Sequence, residues 1–163
     1  MSCEHVPERL INSFGDYSAY EDAVYQEYLK TFASKTFTYE GKRIAEKRYP
    51  LIMGKSGTFW HIVSSGDTEA LKLPDFDRYE TVGWPGFILS YCLDNCTTKL
   101  IWENKRHSKT RLLIYCTEIQ YLVVLDKRDN FYVFWTAYPV KYEHTQKKLL
   151  KEYKEYLESK DMN

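Results

Sequence analysis

A chain of 163 residues with 44% hydrophobic and 17% aromatic content is long enough to build one packed domain and too apolar to stay disordered. Its 23 basic and 23 acidic residues cancel, which removes any global charge signal for nucleic acid or membrane. The charges do segregate: Lys35–Lys55 and Lys99–Arg111 are basic and the N-terminal stretch is acidic, so a basic groove on a neutral protein stays open.

The chain opens with no basic-then-apolar leader, and its apolar runs fall short of a membrane span, so a soluble cytoplasmic protein is expected. Cys3, Cys92, Cys96 and Cys116 include no CxxC and no pair with finger-like spacing. Buried thiols are therefore expected rather than a metal site, and no cofactor.

In chain order, Asp16–Ala33 has helical spacing. Tyr25, Tyr28, Leu29 and Phe32 recur on one face, and Asp16 is a candidate N-cap. Thr36–Ala45 reads as two short strands around a Glu40-Gly41 turn. Pro50–Ser65 reads as a loop running into a strand, FWHIV, with Phe59, His61 and Val63 on one face. The Lys55-Ser56-Gly57-Thr58 stretch does not fit GxxxxGK[ST] and is not a phosphate loop. Gly66–Asp77 is an acidic loop, followed by a break at Gly83–Gly86 and a short apolar helix that would carry Cys92 and Cys96 inward.

Thr98–Glu103 and Lys109–Thr117 read as strands. The second alternates, with Thr110, Leu112, Ile114 and Cys116 on one side and Lys109, Arg111, Leu113 and Tyr115 on the other. Tyr121–Tyr138 is a hairpin turning at Lys127–Asn130. In its second arm Thr136 and Tyr138 share a face, opposite Phe131, Val133, Trp135 and Ala137. Tyr142–Ser159 is an amphipathic helix with Leu149, Leu150, Tyr153 and Leu157 on its apolar side.

The pattern is α+β in a single domain. The expected architecture is an antiparallel β-sheet over about 36–138, packed on one face by the N-terminal helix (16–33) and the C-terminal helix (142–159). The helix-free face would collect His61, Lys109, Arg111, Thr136 and Tyr138, with Arg78, Lys105, Arg106 and His107 reaching it from loops. Metal-independent RNA cleavage needs such groups: histidine to move protons, cations to hold the phosphate, hydroxyls to donate to its oxygens. There is no HExxH, no GxSxG and no carboxylate set suited to two-metal chemistry.

FWHIV at Phe59–Val63, Arg78 ahead of a Trp-containing helix, and a basic strand leading into LVVL and then Thr136-Ala137-Tyr138 resemble the BECR-type nucleases. That superfamily holds barnase, EndoU, colicin ribonucleases and RelE-like toxins, and the nearest branch is the phage- and mobile-element-associated one. The resemblance implies cleavage of RNA through a 2′,3′-cyclic phosphate by a toxin or effector. His61 would serve as acid or base, Arg111 and Lys109 would hold the scissile phosphate, and Thr136 and Tyr138 would stand at the hydroxyl-bearing strand end. It also implies a partner antitoxin or immunity protein. Two competing readings are a non-catalytic RNA- or protein-binding protein of a mobile element, and an antitoxin- or immunity-like protein whose partner patch is acidic Glu69–Glu80.

Overall fold

A computed structural model describes residues 5–66 and 72–161, with the Arg106 side chain outside the described set. Helix α1 (Tyr17–Tyr28) starts where Asp16 accepts a hydrogen bond from the Ala19 N–H, and it runs on through a π-helical turn, Leu29–Ala33. Tyr20, Val24, Tyr28 and Phe32 are its buried stripe, so Tyr28 and Phe32 of the expected face are buried while Tyr25 and Leu29 lie at its edge, only partly buried. Strands β1 (Phe37–Tyr39) and β2 (Lys42–Ala45) pair antiparallel. Glu40 and Gly41 both take positive φ between them, the primed turn that matches strand twist.

The expected FWHIV strand is instead a helix, α2 (Gly57–Val63). The Ser56 Oγ accepts from the Phe59 N–H at 3.2 Å, an N-cap that outweighs the β-branched and aromatic composition. Phe59, Ile62 and Val63, at i, i+3 and i+4, become the buried face. His61 is therefore a helical residue. A two-residue strand pair, β3 (Ser64–Ser65) with β4 (Leu73–Pro74), precedes α3 (Phe76–Glu80). Next comes one broken helix: α4 (Trp84–Phe87), a π-helical turn at Ile88–Cys92, and α5 (Leu93–Asn95). Pro85 sits in its first turn, as expected.

Strands β5 (Lys99–Arg106), β6 (Lys109–Cys116), β7 (Tyr121–Lys127) and β8 (Phe131–Pro139) form an antiparallel meander, and α6 (Glu143–Asp161) closes the chain. The six-stranded sheet runs β1-β2-β8-β7-β6-β5, and the β2–β8 pairing is parallel. The fold is α+β, but the sheet is mixed rather than wholly antiparallel.

Its two faces correct the expected layering. Leu112, Ile114, Val123, Leu125 and Phe134 pack with the α1 stripe, α2 and the broken helix. Leu113, Tyr115, Leu122 and Val124, one residue out of phase, pack instead with Trp102, Val140 and Leu149 of α6. The terminal helices therefore lie on opposite faces, and the face expected to be open is partly covered by α6. Among the described residues, no helix is long and apolar enough to cross a membrane.

The close crossing of the π-helical end of α1 with α4 hangs on Gly86. A Cβ there would stand 2.2 Å from the Thr31 carbonyl oxygen, which is backbone and cannot swing aside. Gly86→Ala should lower stability by about 1–3 kcal/mol, as overpacking does, read as a lower urea midpoint with unchanged slope. An unchanged midpoint would show that these segments do not touch as described.

Candidate nucleic-acid interface

Strand β8 carries an extra residue relative to β7. Val124 pairs with Thr136 and Leu125 with Phe134, so Trp135 has no partner across the ladder. This bulge inverts part of the expected alternation. Phe134 and Ala137 face the α1 core, while Trp135 and Tyr138 join the α6 side. Trp135 was expected on the buried face with Val133; it lies instead on the face of Arg111, beside Thr136.

Trp135 then becomes the hub of the surface. The Arg111 guanidinium lies 4.0 Å from its ring centroid, the Lys109 ammonium 5.7 Å, and the His61 ring 4.8 Å. One step further along β8, Arg78 Nη1 donates to Thr136 Oγ1 at 3.3 Å, and its guanidinium sits 4.7 Å over the Tyr138 ring. Strand β2 reaches only as far as Val133, so α2 and α3 pack beside the rest of β8 and deliver His61 and Arg78.

The indole also divides two clefts. One, of about 580 Å³, holds His107, Lys109, Arg111, Thr136 and Tyr138 under α6. The other, of about 350 Å³, holds His61 with Trp60 and Lys72. In the second, Lys72 Nζ lies 2.6 Å from His61 Nδ1. The sequence reading thus brings together six residues around Trp135–Tyr138: His61, Arg78, Lys109, Arg111, Thr136 and Tyr138. His107 joins them in the larger cleft. Lys105 does not, because it pairs with Thr110 and points to the other face of the strand pair, in a separate cleft with Glu103 and Lys127. The Arg106 side chain and Glu69 lie outside the described residues.

Carboxylates fix the cations in place. Asp126, only 2% exposed, takes Arg111 Nε at 3.2 Å on one oxygen and Arg128 Nη2 at 2.8 Å on the other. Asp75 caps α3 by accepting from the Asp77 and Arg78 N–H groups, and lies 3.7 Å from Arg78 Nε. Burial pulls the Arg78 pKa below its ordinary value, opposed by the charge of Asp75 and by Tyr138 and Tyr121. Of the acidic patch expected over Glu69–Glu80, the described carboxylates are each ion-paired: Asp75 with Arg78, Asp77 with Lys141 and Arg9, Glu80 with Arg9.

Two residues of this surface escaped the sequence reading. Trp135 was placed on the wrong face because a bulge leaves no mark in binary patterning. Glu152 of α6 lines the larger cleft and accepts from Trp102 Nε1 at 3.1 Å and from Asn104 Nδ2. Its signal, a lone glutamate in a Lys/Glu-rich helix, is indistinguishable from a solvated one.

No family model, curated protein or solved structure matches the chain. The likeness to BECR-type nucleases rests on the motif residues alone.

Asp126→Asn should loosen Arg111 from Trp135. Loss of the carboxylate charge leaves the part-buried Arg111 charge without its counter-ion, which predicts roughly 1–3 kcal/mol of destabilisation by urea titration; an unaltered midpoint would mean that the pair does not form. Asp77 gives a pH test. Its pKa is lowered chiefly by the Lys141 hydrogen bond, so its contribution is present above the unfolded-state value and is lost as pH falls through the depressed folded value. Its carboxyl carbon should titrate below the ordinary range by NMR and move up in Lys141→Ala. Identical titrations in both proteins would discount the pair.

Proposed function

We propose that the Trp135–Tyr138 face is the phosphate site of a metal-independent endoribonuclease. The observation that carries the reading is the contact set of Trp135: a histidine and two cations against one half-buried indole, with the Thr136 and Tyr138 hydroxyls next along the strand. An indole among cations suits a single-stranded base stacked beside its own phosphate.

In the proposed reaction a ribose 2′-OH gives up its proton and its oxygen attacks the adjacent phosphorus. The 5′-oxygen leaves and takes a proton, and a 2′,3′-cyclic phosphate remains. Arg111 and Lys109 neutralise the charge that develops on the phosphorane oxygens, and the hydroxyls of Thr136 and Tyr138 donate to them. His61 and His107, one in each cleft that Trp135 divides, are assigned the two proton transfers. Lys72 lies at His61 Nδ1, so exchange is assigned to Nε2.

A second reading, RNA binding without cleavage, draws on the same contacts. Arg111 is tied to Asp126, and His61 stands across the indole from the larger cleft.

Purified protein incubated with single-stranded RNA in EDTA, with circular dichroism showing the fold intact, should leave 2′,3′-cyclic phosphate ends. His61→Ala or His107→Ala should slow this by ~10²–10⁴-fold. RNA bound in a salt-sensitive way but left intact would select the binding reading. RNA neither bound nor cut would end both.

A further inference from the structure

The three cysteines of the broken helix and sheet converge at a single point. Cys92 ends the π-helical turn, and Cys96 lies one turn on, its N–H donating to the Cys92 carbonyl at 3.0 Å, so both thiols project to the same side. Cys116 is the last residue of β6, between Lys99 of β5 and Tyr121 of β7. The three sulfur atoms all lie within 4.8 Å of one another, with Cys92 and Cys116 at 3.2 Å, and the residues are 0%, 2% and 0% exposed.

We propose that Cys92, Cys96 and Cys116 bind a thiophilic cation, zinc, which fastens the end of the broken helix to the sheet. A tetrahedral zinc with Zn–S bonds of about 2.3 Å sets its thiolates about 3.8 Å apart, inside the observed range. A Cys92–Cys116 disulfide would engage two of the sulfurs, and a bonded pair would stand at about 2.05 Å. The convergence of Cys96 as a third is what selects a metal.

Two features of the surroundings suit the site. Lys99 Nζ donates to the Cys96 carbonyl at 2.6 Å, placing a cation beside what would be three thiolates around a divalent ion. The helix reaches Cys92 through a π-helical turn, a local departure that often marks functional positions. Binding involves no redox change: each thiol releases its proton to solvent as its sulfur bonds the metal. The spacing rules missed the site because its ligands are Cys-x3-Cys on a helix and a distant strand end, rather than two knuckles.

Chain stripped of metal under reducing, oxygen-free conditions and titrated with cobalt(II) tests the proposal. One equivalent should produce thiolate-to-cobalt charge-transfer absorption, zinc should abolish it, and zinc should raise the melting temperature. Cys92→Ser, Cys96→Ser and Cys116→Ser should each weaken or remove the band. Cys96→Ala, which places no polar atom in the core, supplies a folded control verified by circular dichroism. Folded wild-type chain giving no charge-transfer band would overturn the site. So would a band that survives all three substitutions but vanishes in Cys3→Ser, since that would locate binding at the terminal Cys3-x-His5. A Cys92–Cys116 disulfide in metal-free protein isolated without oxidant would overturn it as well.

Discussion

The surface described here depends on one extra residue in β8. Without the bulge at Trp135, strict alternation would separate the indole from Thr136 and Tyr138: carried on from Phe134 it would turn both hydroxyls into the α1 core, and carried back from Tyr138 it would bury the indole there instead. With it, Trp135 and Tyr138 face one way and Phe134 and Ala137 the other, so both sides of the sheet stay packed. A bulge also bends and twists its strand. Here it falls where β2 stops pairing and the helices α2 and α3 take over the flank of β8. A single backbone irregularity thus sets the hub, and the short helices bring His61 and Arg78 to it.

The charges on that surface are pre-positioned by burial. Asp126 is nearly inaccessible, and a lone carboxylate there would be costly, so it holds two arginines and fixes the Arg111 side chain in the stacked position. Asp75 plays the same part for Arg78 while also closing the first turn of α3. Cations fixed in this way lose little further freedom when an anion arrives, which favours binding. Part of their charge is already answered by the carboxylates, so affinity for a polyanion draws also on Lys109 and on stacking against the indole.

Much of this was legible in the sequence and some was not, for identifiable reasons. Helix α1, the Glu40-Gly41 turn, the alternation of β6 and the amphipathic α6 are local patterns that tertiary contacts reinforced. The strand alternation in β6 even held the clue to the layering: Leu113 and Tyr115 share the side of Arg111, and two bulky apolar residues there mark a face that must be covered. Reading that face as open ignored them. Helix α2 departs from the expected strand because its β-branched and aromatic residues suit a strand, while the Ser56 cap and the Phe59, Ile62, Val63 spacing decide for a helix. The parallel β2–β8 pairing and the bulge are non-local events with no sequence signature. Alternation puts Lys109, Arg111, Thr136 and Tyr138 on one face but misplaces Trp135, whereas His61 comes to β8 on helix α2 rather than on the expected strand.

The central claim is that a single-stranded RNA lies on the β8 face with Trp135 at its centre. A ¹H–¹⁵N NMR titration with a short oligoribonucleotide tests it directly. The account predicts that the Trp135 indole N–H and the amides of Arg78, Thr136 and Tyr138 shift progressively and saturate, while the amides of α1 stay still. Shifts confined to the α1 side of the sheet, or no saturable shift at Trp135, would contradict it.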